Sequence, residues 1–396
     1  MAVGSAEIKK FTKKQVNRMA GSGFDFNLLF ILITILAFGL IMVYSASSYV
    51  AVRDFGERDY FFAKQLRWDL IGLVVMGVVI FIPYKLYNAW KIERWIFYIL
   101  AIVLPLLVIP FGKASHNATR WVEMGPISFQ PAELSKILMI LFMASWLVSI
   151  KEKINTWKYF GISIGWILPV AGIIYGVTDN LSSALIIAMI CVLMIFVASD
   201  DVKKFIILGA IVAVVVGIVI AVVYNSTPEE GTSFRIGRIY TWLHPGSSAD
   251  TTGHQTIQAL YAIGNGGIIG KGLGQSVQKI SALPEPQNDM IFAVICEELG
   301  IIGAVALVVM YGLLLYRIYS IARETKNKFA FMVVVGVMSH IGVQAILNIA
   351  VATNSMPNTG VSLPFVSYGG SSAVLLLIEI GMVMCINRIN SREAKK

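Results

Sequence analysis

The stretch Ala282-Leu283-Pro284-Glu285-Pro286-Gln287-Asn288-Asp289-Met290-Ile291-Phe292 puts an ionisable group at the mouth of an apolar run. Two prolines prevent regular helix through 284–286, so the helix that follows starts close to Asp289. Its carboxylate therefore sits at a membrane surface. An acidic residue there also suits the positive end of a helix dipole, which is the plain structural alternative. A second group of charges lies in 112–136. Pro131 suits the first helical position and Glu133 the third, which places Lys136 about one turn inside. Arg120 and Lys136 can flank an anionic group, arginine as a fork that fits phosphate and lysine as a point charge. The alternative for Lys136 is a pair with Glu133 at i−3 or snorkelling to the headgroups, and for Trp121 a place in an interfacial aromatic belt.

These residues are carried by a chain far too apolar for a soluble globule: 57% hydrophobic and 14% charged over 396 residues, with mean hydropathy +0.75. The expected class is an all-α polytopic membrane protein of about ten transmembrane helices. The apolar runs fall at 28–49, 66–84, 95–111, 131–150, 161–177, 181–198, 205–224, 290–318, 330–352 and 371–387, each near the roughly 20 residues that cross a bilayer. Three parts follow: a basic segment 1–27 with an interfacial helix, a membrane domain 28–387, and a tail 388–396. With both termini cytoplasmic, the inward segments hold 21 of the 32 Lys and Arg, as the positive-inside rule requires. The net charge of +9 is then a topology signal, and no nucleic-acid partner is expected. The first apolar run reads as an anchor, because no small-residue cleavage site follows it.

The outward loops are 112–130, 224–289 and 353–370, the second lying between helices seven and eight. It carries Gly264, Gly266, Gly267, Gly270, Gly272 and Gly274 among isoleucines, without the strand that a dinucleotide fingerprint needs. A re-entrant segment buried in protein accounts for them better. Arg235 and Arg238 add positive charge outside, where sorting rules do not ask for it. Asp179 and Asn180 between two apolar runs read as a tight turn, the alternative being a broken pair that holds them at depth. His340, Gln344 and Asn348 form a polar stripe expected to hydrogen-bond neighbouring helices. Cys191, Cys296 and Cys385 match no metal or redox spacing.

RWVEMGPISFQPAELSK (120–136), PEPQNDMIFAVICEELG (284–300) and the run into LPFVSYGGSS (363–372) together resemble the SEDS family (shape, elongation, division and sporulation), the RodA, FtsW and SpoVE type. The wording is nearer the FtsW and SpoVE branch. The resemblance implies a peptidoglycan glycosyltransferase that polymerises lipid II in the bacterial plasma membrane. It matches Asp289 to the family's essential loop aspartate and Trp121 to a functionally important tryptophan. It places Arg120, Glu133 and Lys136 on charged positions lining the cavity and Glu285 on the acidic residue of the PE motif. Gln287-Asn288 stand where many relatives have His-Thr, which leaves the carboxylate but removes a histidine able to share proton transfer.

The expected reaction has Asp289 as general base on the acceptor GlcNAc 4-OH, inversion at the donor carbon, and release of undecaprenyl diphosphate. The growing charge on the diphosphate needs cationic stabilisation, from Arg120 and Lys136 or from a divalent cation; no metal-ligand spacing decides between them. Membrane lipids and a class B penicillin-binding protein, which crosslinks the strands, are the implied partners. A flippase for lipid II is the alternative function, and a scaffold for a cell-wall synthase a third.

Overall fold

The computed structural model describes residues 23–84, 93–115, 118–124, 127–225, 234–244, 253–281 and 283–393. The interfacial helix expected in the basic N-terminal segment lies outside them. The elements are α1 (Phe26–Phe55), α2 (Tyr60–Phe81), α3 (Glu93–Leu106), α4 (Val108–Phe111), β1 (Gly112–Ser115), β2 (Ala118–Met124), β3 (Ile127–Phe129), α5 (Pro131–Ile150), α6 (Trp157–Gly165), α7 (Ile167–Thr178), α8 (Leu181–Ala198) and α9 (Val202–Tyr224). There follow α10 (Phe234–Leu243), α11 (Gly253–Gly266), α12 (Gln278–Ser281), α13 (Ile291–Glu324), α14 (Lys328–Ala352) and α15 (Gly370–Glu393). Each of the ten expected apolar runs is helical. Nine helices among the described residues are long and apolar enough to cross a membrane. The helix α2 falls short of that criterion because Lys64, Arg67 and Asp69 lie within it. The chain is a multi-pass helical membrane protein.

Two buried helices, α5 and α14, form the centre, and each ends near the candidate site. The helices α2 and α15 pack against each other through small residues: Gly72 of α2 faces Leu377 and Val374 of α15, and Gly381 of α15 faces Met76 and Val79 of α2. A side chain at either glycine would hold the helices apart, so glycine permits the close approach on which packing inside a membrane depends. The helix α9 contrasts with them, being exposed along nearly its whole length. The short loop between α7 and α8 is a turn. Asp179 is left-handed (φ 51°), and the Asn180 side chain caps α8 by accepting from Ser183 N–H at 3.0 Å.

The run expected as one span at 290–318 is two limbs. Gly300 (φ 67°, ψ −166°) interrupts α13, leaving a buried limb, 291–299, and a second limb, 301–324, that reaches about 36 Å by itself. Such an interruption frees backbone groups, which inside a membrane must find partners. The glycine-rich segment supplies them. Lys271 and Gly272 N–H donate to the Glu297 and Glu298 carbonyls at 3.0 and 2.9 Å, while Ile301 and Ile302 N–H donate to the Gly267 and Ile268 carbonyls at 3.0 and 3.2 Å. The segment docks through its backbone, yet Gly264, Gly267, Gly272, Gly274, Ile268, Ile269 and Leu273 are exposed, so it lies on the surface of α13 and is not buried in protein as the sequence reading expects.

Charge fastens the same segment. The buried Glu298 carboxylate accepts from Lys279 Nζ at 2.6 Å and from the Ser45 hydroxyl of α1. Glu297, also buried, accepts from Lys271 Nζ at 2.9 Å, from the Ser276 hydroxyl, and from Val277 and Gln278 N–H at the start of α12. Removing one partner of a buried ion pair strands the other. Lys279→Met is therefore expected to cost about 3–5 kcal/mol, and adding Glu298→Gln to recover much of it. Thermal unfolding of both variants checks this; equal melting temperatures for the single variant and wild type would show that the pair holds nothing.

Candidate active site

The turn before α13 is built to present Asp289. Glu285 takes a positive φ (44°), Asn288 N–H donates back to the Glu285 carbonyl at 3.0 Å, and Asn288 Nδ2 donates to Glu285 Oε2 at 2.6 Å. The Asn348 side chain, fully buried on α14, then fixes the main chain. Its Nδ2 donates to the Asp289 carbonyl at 2.8 Å and to the Val361 carbonyl at 2.7 Å. Ser367 Oγ donates to the Asn288 carbonyl at 2.6 Å, and Tyr368 N–H to the Gln287 carbonyl at 2.9 Å. Segment 353–369 thus walls the turn on one side, uncharged and turn-rich as its sequence leads one to expect.

The Asp289 side chain is half-buried. Its Oδ1 accepts from Gln255 Nε2 of α11 at 3.3 Å. Burial pushes the carboxyl up to about 6, and the neighbouring Glu285 charge adds to the rise; a hydrogen bond from its own backbone N–H, Arg238 and Gln255 pull the other way. A carboxylate so poised is ionised at neutral pH and remains a competent proton acceptor. Arg238 of α10 donates from Nη1 to the Asn358 carbonyl at 3.1 Å. Burial and the Arg120 charge lower its guanidinium from the ordinary value, while Asp289 raises it. Arg120 in turn donates from Nη2 to the Asp179 carbonyl at 2.9 Å. Two guanidinium groups from distant parts of the chain therefore stand on the Asp289 side.

Glu133 and Lys136 are placed differently. Both are buried at the start of α5, Nζ lying 2.7 Å from Glu133 Oε1 and 3.2 Å from Gln344 Oε1. Ser372 Oγ donates to Glu133 Oε2 at 3.2 Å. The i−3 pairing is the arrangement found, so Lys136 does not join Arg120 around a shared anion through these contacts. Gln344 also reaches His340 Nε2 at 2.9 Å and the Ser362 carbonyl at 3.1 Å, and His340 Nδ1 lies 2.9 Å from Glu379. The stripe on α14 does bond neighbouring helices, and it joins the Glu133–Lys136 pair to the Asp289 turn through one helix face. Trp121 is half-buried on β2, opposite Lys113 of β1, and the register passes over Arg120 beside it, a bulge at which the alternation of faces is interrupted.

Sequence reasoning noted Arg238 as unexplained charge but left it out of the site. It passed over Gln255 and Asn358 entirely, since a neutral amide in a loop gives no signal until its partner is seen. Among the described residues no three His, Cys, Asp or Glu side chains gather as a cation cage.

The chain as a whole is similar to known proteins. The cell cycle protein family model of the FtsW/RodA/SpoVE type matches residues 26–392. The stage V sporulation protein E of Bacillus subtilis is 36% identical over 92% of this chain and 97% of its own length. The probable peptidoglycan glycosyltransferase FtsW of the same organism is 34% identical over 92% of this chain and 90% of its own. A chain from a peptidoglycan synthase complex superposes with a TM-score of 0.75 at 25% identity, covering 93% of this chain and 98% of that one. The rod shape determining protein RodA of Thermus thermophilus shares the fold, with a TM-score of 0.63 over 92% of this chain and 97% of its own. A match spanning nearly the whole chain, with the aspartate turn and the loop arginines inside it, places this protein in the FtsW/RodA/SpoVE family.

Proposed function

We propose that the chain is a glycosyltransferase that polymerises lipid II into peptidoglycan strands at the outer face of the bacterial plasma membrane. Family membership and relatives named peptidoglycan glycosyltransferase support the enzyme class. The observation that carries the mechanism is the half-buried Asp289 carboxylate, raised to about 6 and influenced by Arg238, which itself feels Arg120. The acceptor GlcNAc 4-OH gives its proton to Asp289 as its oxygen bonds MurNAc C1 of the donor. The bond from C1 to the diphosphate breaks with its electron pair on undecaprenyl diphosphate. Attack opposite the leaving group inverts the carbon. Arg238 and Arg120 offset the charge growing on the departing diphosphate. Glu285 keeps the base from being too weak, Trp121 and the Glu133–Lys136 pair shape the cavity, and the positive-inside distribution of lysine and arginine sets this site outside.

The purified chain mixed with lipid II in detergent is expected to yield glycan polymer; lipid II crossing vesicles with no polymer formed would support a flippase instead. A class B penicillin-binding protein is the proposed partner, in keeping with the likeness to a chain of a peptidoglycan synthase complex. Two further outcomes follow. The rate is expected to climb through pH 6 as Asp289 ionises and to level above pH 7, and a flat profile from pH 5 to 7 would remove Asp289 as the base. Arg238→Ala is expected to slow polymerisation about 100-fold, Arg238→Lys less, with lipid II binding changed little, because the arginine acts on charge that develops only during transfer. Initial rates against lipid II concentration separate the two effects.

A further inference from the structure

The orientation of the Asp289 carboxylate is set by a chain of amides that begins at a backbone group. Gly360 N–H donates to Asn358 Oδ1 at 3.0 Å, which fixes the Asn358 amide: its oxygen faces Gly360, and its Nδ2 faces Gln255. That Nδ2 donates to Gln255 Oε1 at 2.8 Å. Gln255 is left with only its Nε2 to turn toward Asp289, and it donates to Oδ1. Arg238 holds the far end by donating to the Asn358 carbonyl. An amide reversed at either link would set two oxygens or two N–H groups face to face, so the order of donors is determined at each step.

The consequence falls on the other carboxylate oxygen. Oδ1 is occupied by a donor, whereas Oδ2 faces Gly360. A Cβ built on Gly360 would stand 3.9 Å from Asp289 Oδ2, in ordinary van der Waals contact, and would meet no other heavy atom within 4 Å. Gly360 also has φ +67°, a conformation that side chains disfavour.

We propose that Gln255 and Asn358 are positioning residues for the base: by holding Oδ1 through an amide chain of fixed order they set the orientation of the carboxylate, and Oδ2 is the oxygen that takes the acceptor proton. This rests on the base assignment above and deepens it. The charged groups that bear on Asp289 are Glu285 from its own turn and Arg238 from α10, with Arg120 of β2 acting on Arg238. Gln255 acts in addition to these, by bonding the ionised form.

The test is the pH–rate profile of lipid II polymerisation by the full chain. Gln255→Met keeps length and shape but loses the donor. It is expected to lower the maximal rate about tenfold with KM nearly unchanged, and to move the acid limb to higher pH. Gln255→Glu places a second carboxylate against the first and is expected to move the limb further in the same direction. Asn358→Leu frees the Gln255 amide to rotate and is expected to act as Gln255→Met does, although it touches no substrate. A purely structural role would lower the melting temperature and the rate together, with the limb unmoved. The proposal is overturned if variants that melt like wild type keep its acid limb and its rate. Should Asp289→Asn still abolish activity in that case, the base assignment survives and only the amide chain fails. Should Asp289→Asn polymerise normally, both fall.

Discussion

Asp289→Asn is expected to reduce lipid II polymerisation by about three orders of magnitude while leaving the melting temperature near that of wild type. The size follows from the chemistry: a positioned general base contributes roughly 10²–10⁴-fold, and an amide of the same shape cannot accept the proton. Near-normal folding follows from the surroundings. Asn348 and Ser367 hold the turn through the Asp289 and Asn288 carbonyls, which the substitution leaves in place. The half-buried carboxylate is itself disfavoured by burial and by Glu285, so neutralising it relieves that cost. Glutamate in its place displaces the carboxylate by about one bond length from the position that Gln255 holds, and is expected to recover only a small part of the rate. Measured lipid II binding should persist in both variants, because the arginines remain.

The second large effect is structural. Gly300→Ala is expected to cost about 3 kcal/mol or more, a large share of a typical native stability, and to lower the yield of folded protein and its melting temperature. The conformation at this position, φ 67° with ψ −166°, belongs almost to glycine alone. The added methyl would also lie 2.4 Å from Gly270 N and from the Ile268 carbonyl oxygen, both backbone atoms that cannot rotate aside. The two faults act together on the junction where the glycine-rich segment meets α13. Residual folded protein should have lost polymerase activity, since the limb 291–299 that follows Asp289 is anchored there. Gly312→Ala, on the same helix, meets open space and gives the control: its yield and melting temperature should match wild type.

The helices were legible because crossing a bilayer demands long apolar runs, and nothing else in a chain of this composition imitates them. The α5 start was legible too, since Pro131 and Glu133 carry their positions in their chemistry. The break at Gly300 was not. One glycine amid Leu299, Ile301 and Ile302 reads as an ordinary small residue in a span, and only the segment from Gly266 to Gly272, distant in sequence, makes the interruption tolerable. The same distance hid the charges that secure it: Lys271 and Lys279 find Glu297 and Glu298 only after the segment folds back.

The site was half legible. Asp289 stood out as a carboxylate at the edge of an apolar run, and Arg120 as a fork able to flank an anionic group. Lys136 looked equally available, yet Glu133 one turn earlier on α5 had first claim on it. Arg238 shared the signal of Arg120 and earned less notice because its loop had no motif to frame it. Gln255, Asn358 and Asn348 are neutral amides, which become significant only when a hydrogen bond joins them to Asp289 or to one another.

Glycan polymer made from lipid II by the purified chain, resolved by length on a gel beside the Asp289→Asn variant of equal thermal stability, tests the central claim most directly. Polymer from wild type and none from the variant is the predicted result. Polymer of the same length and amount from both would contradict it.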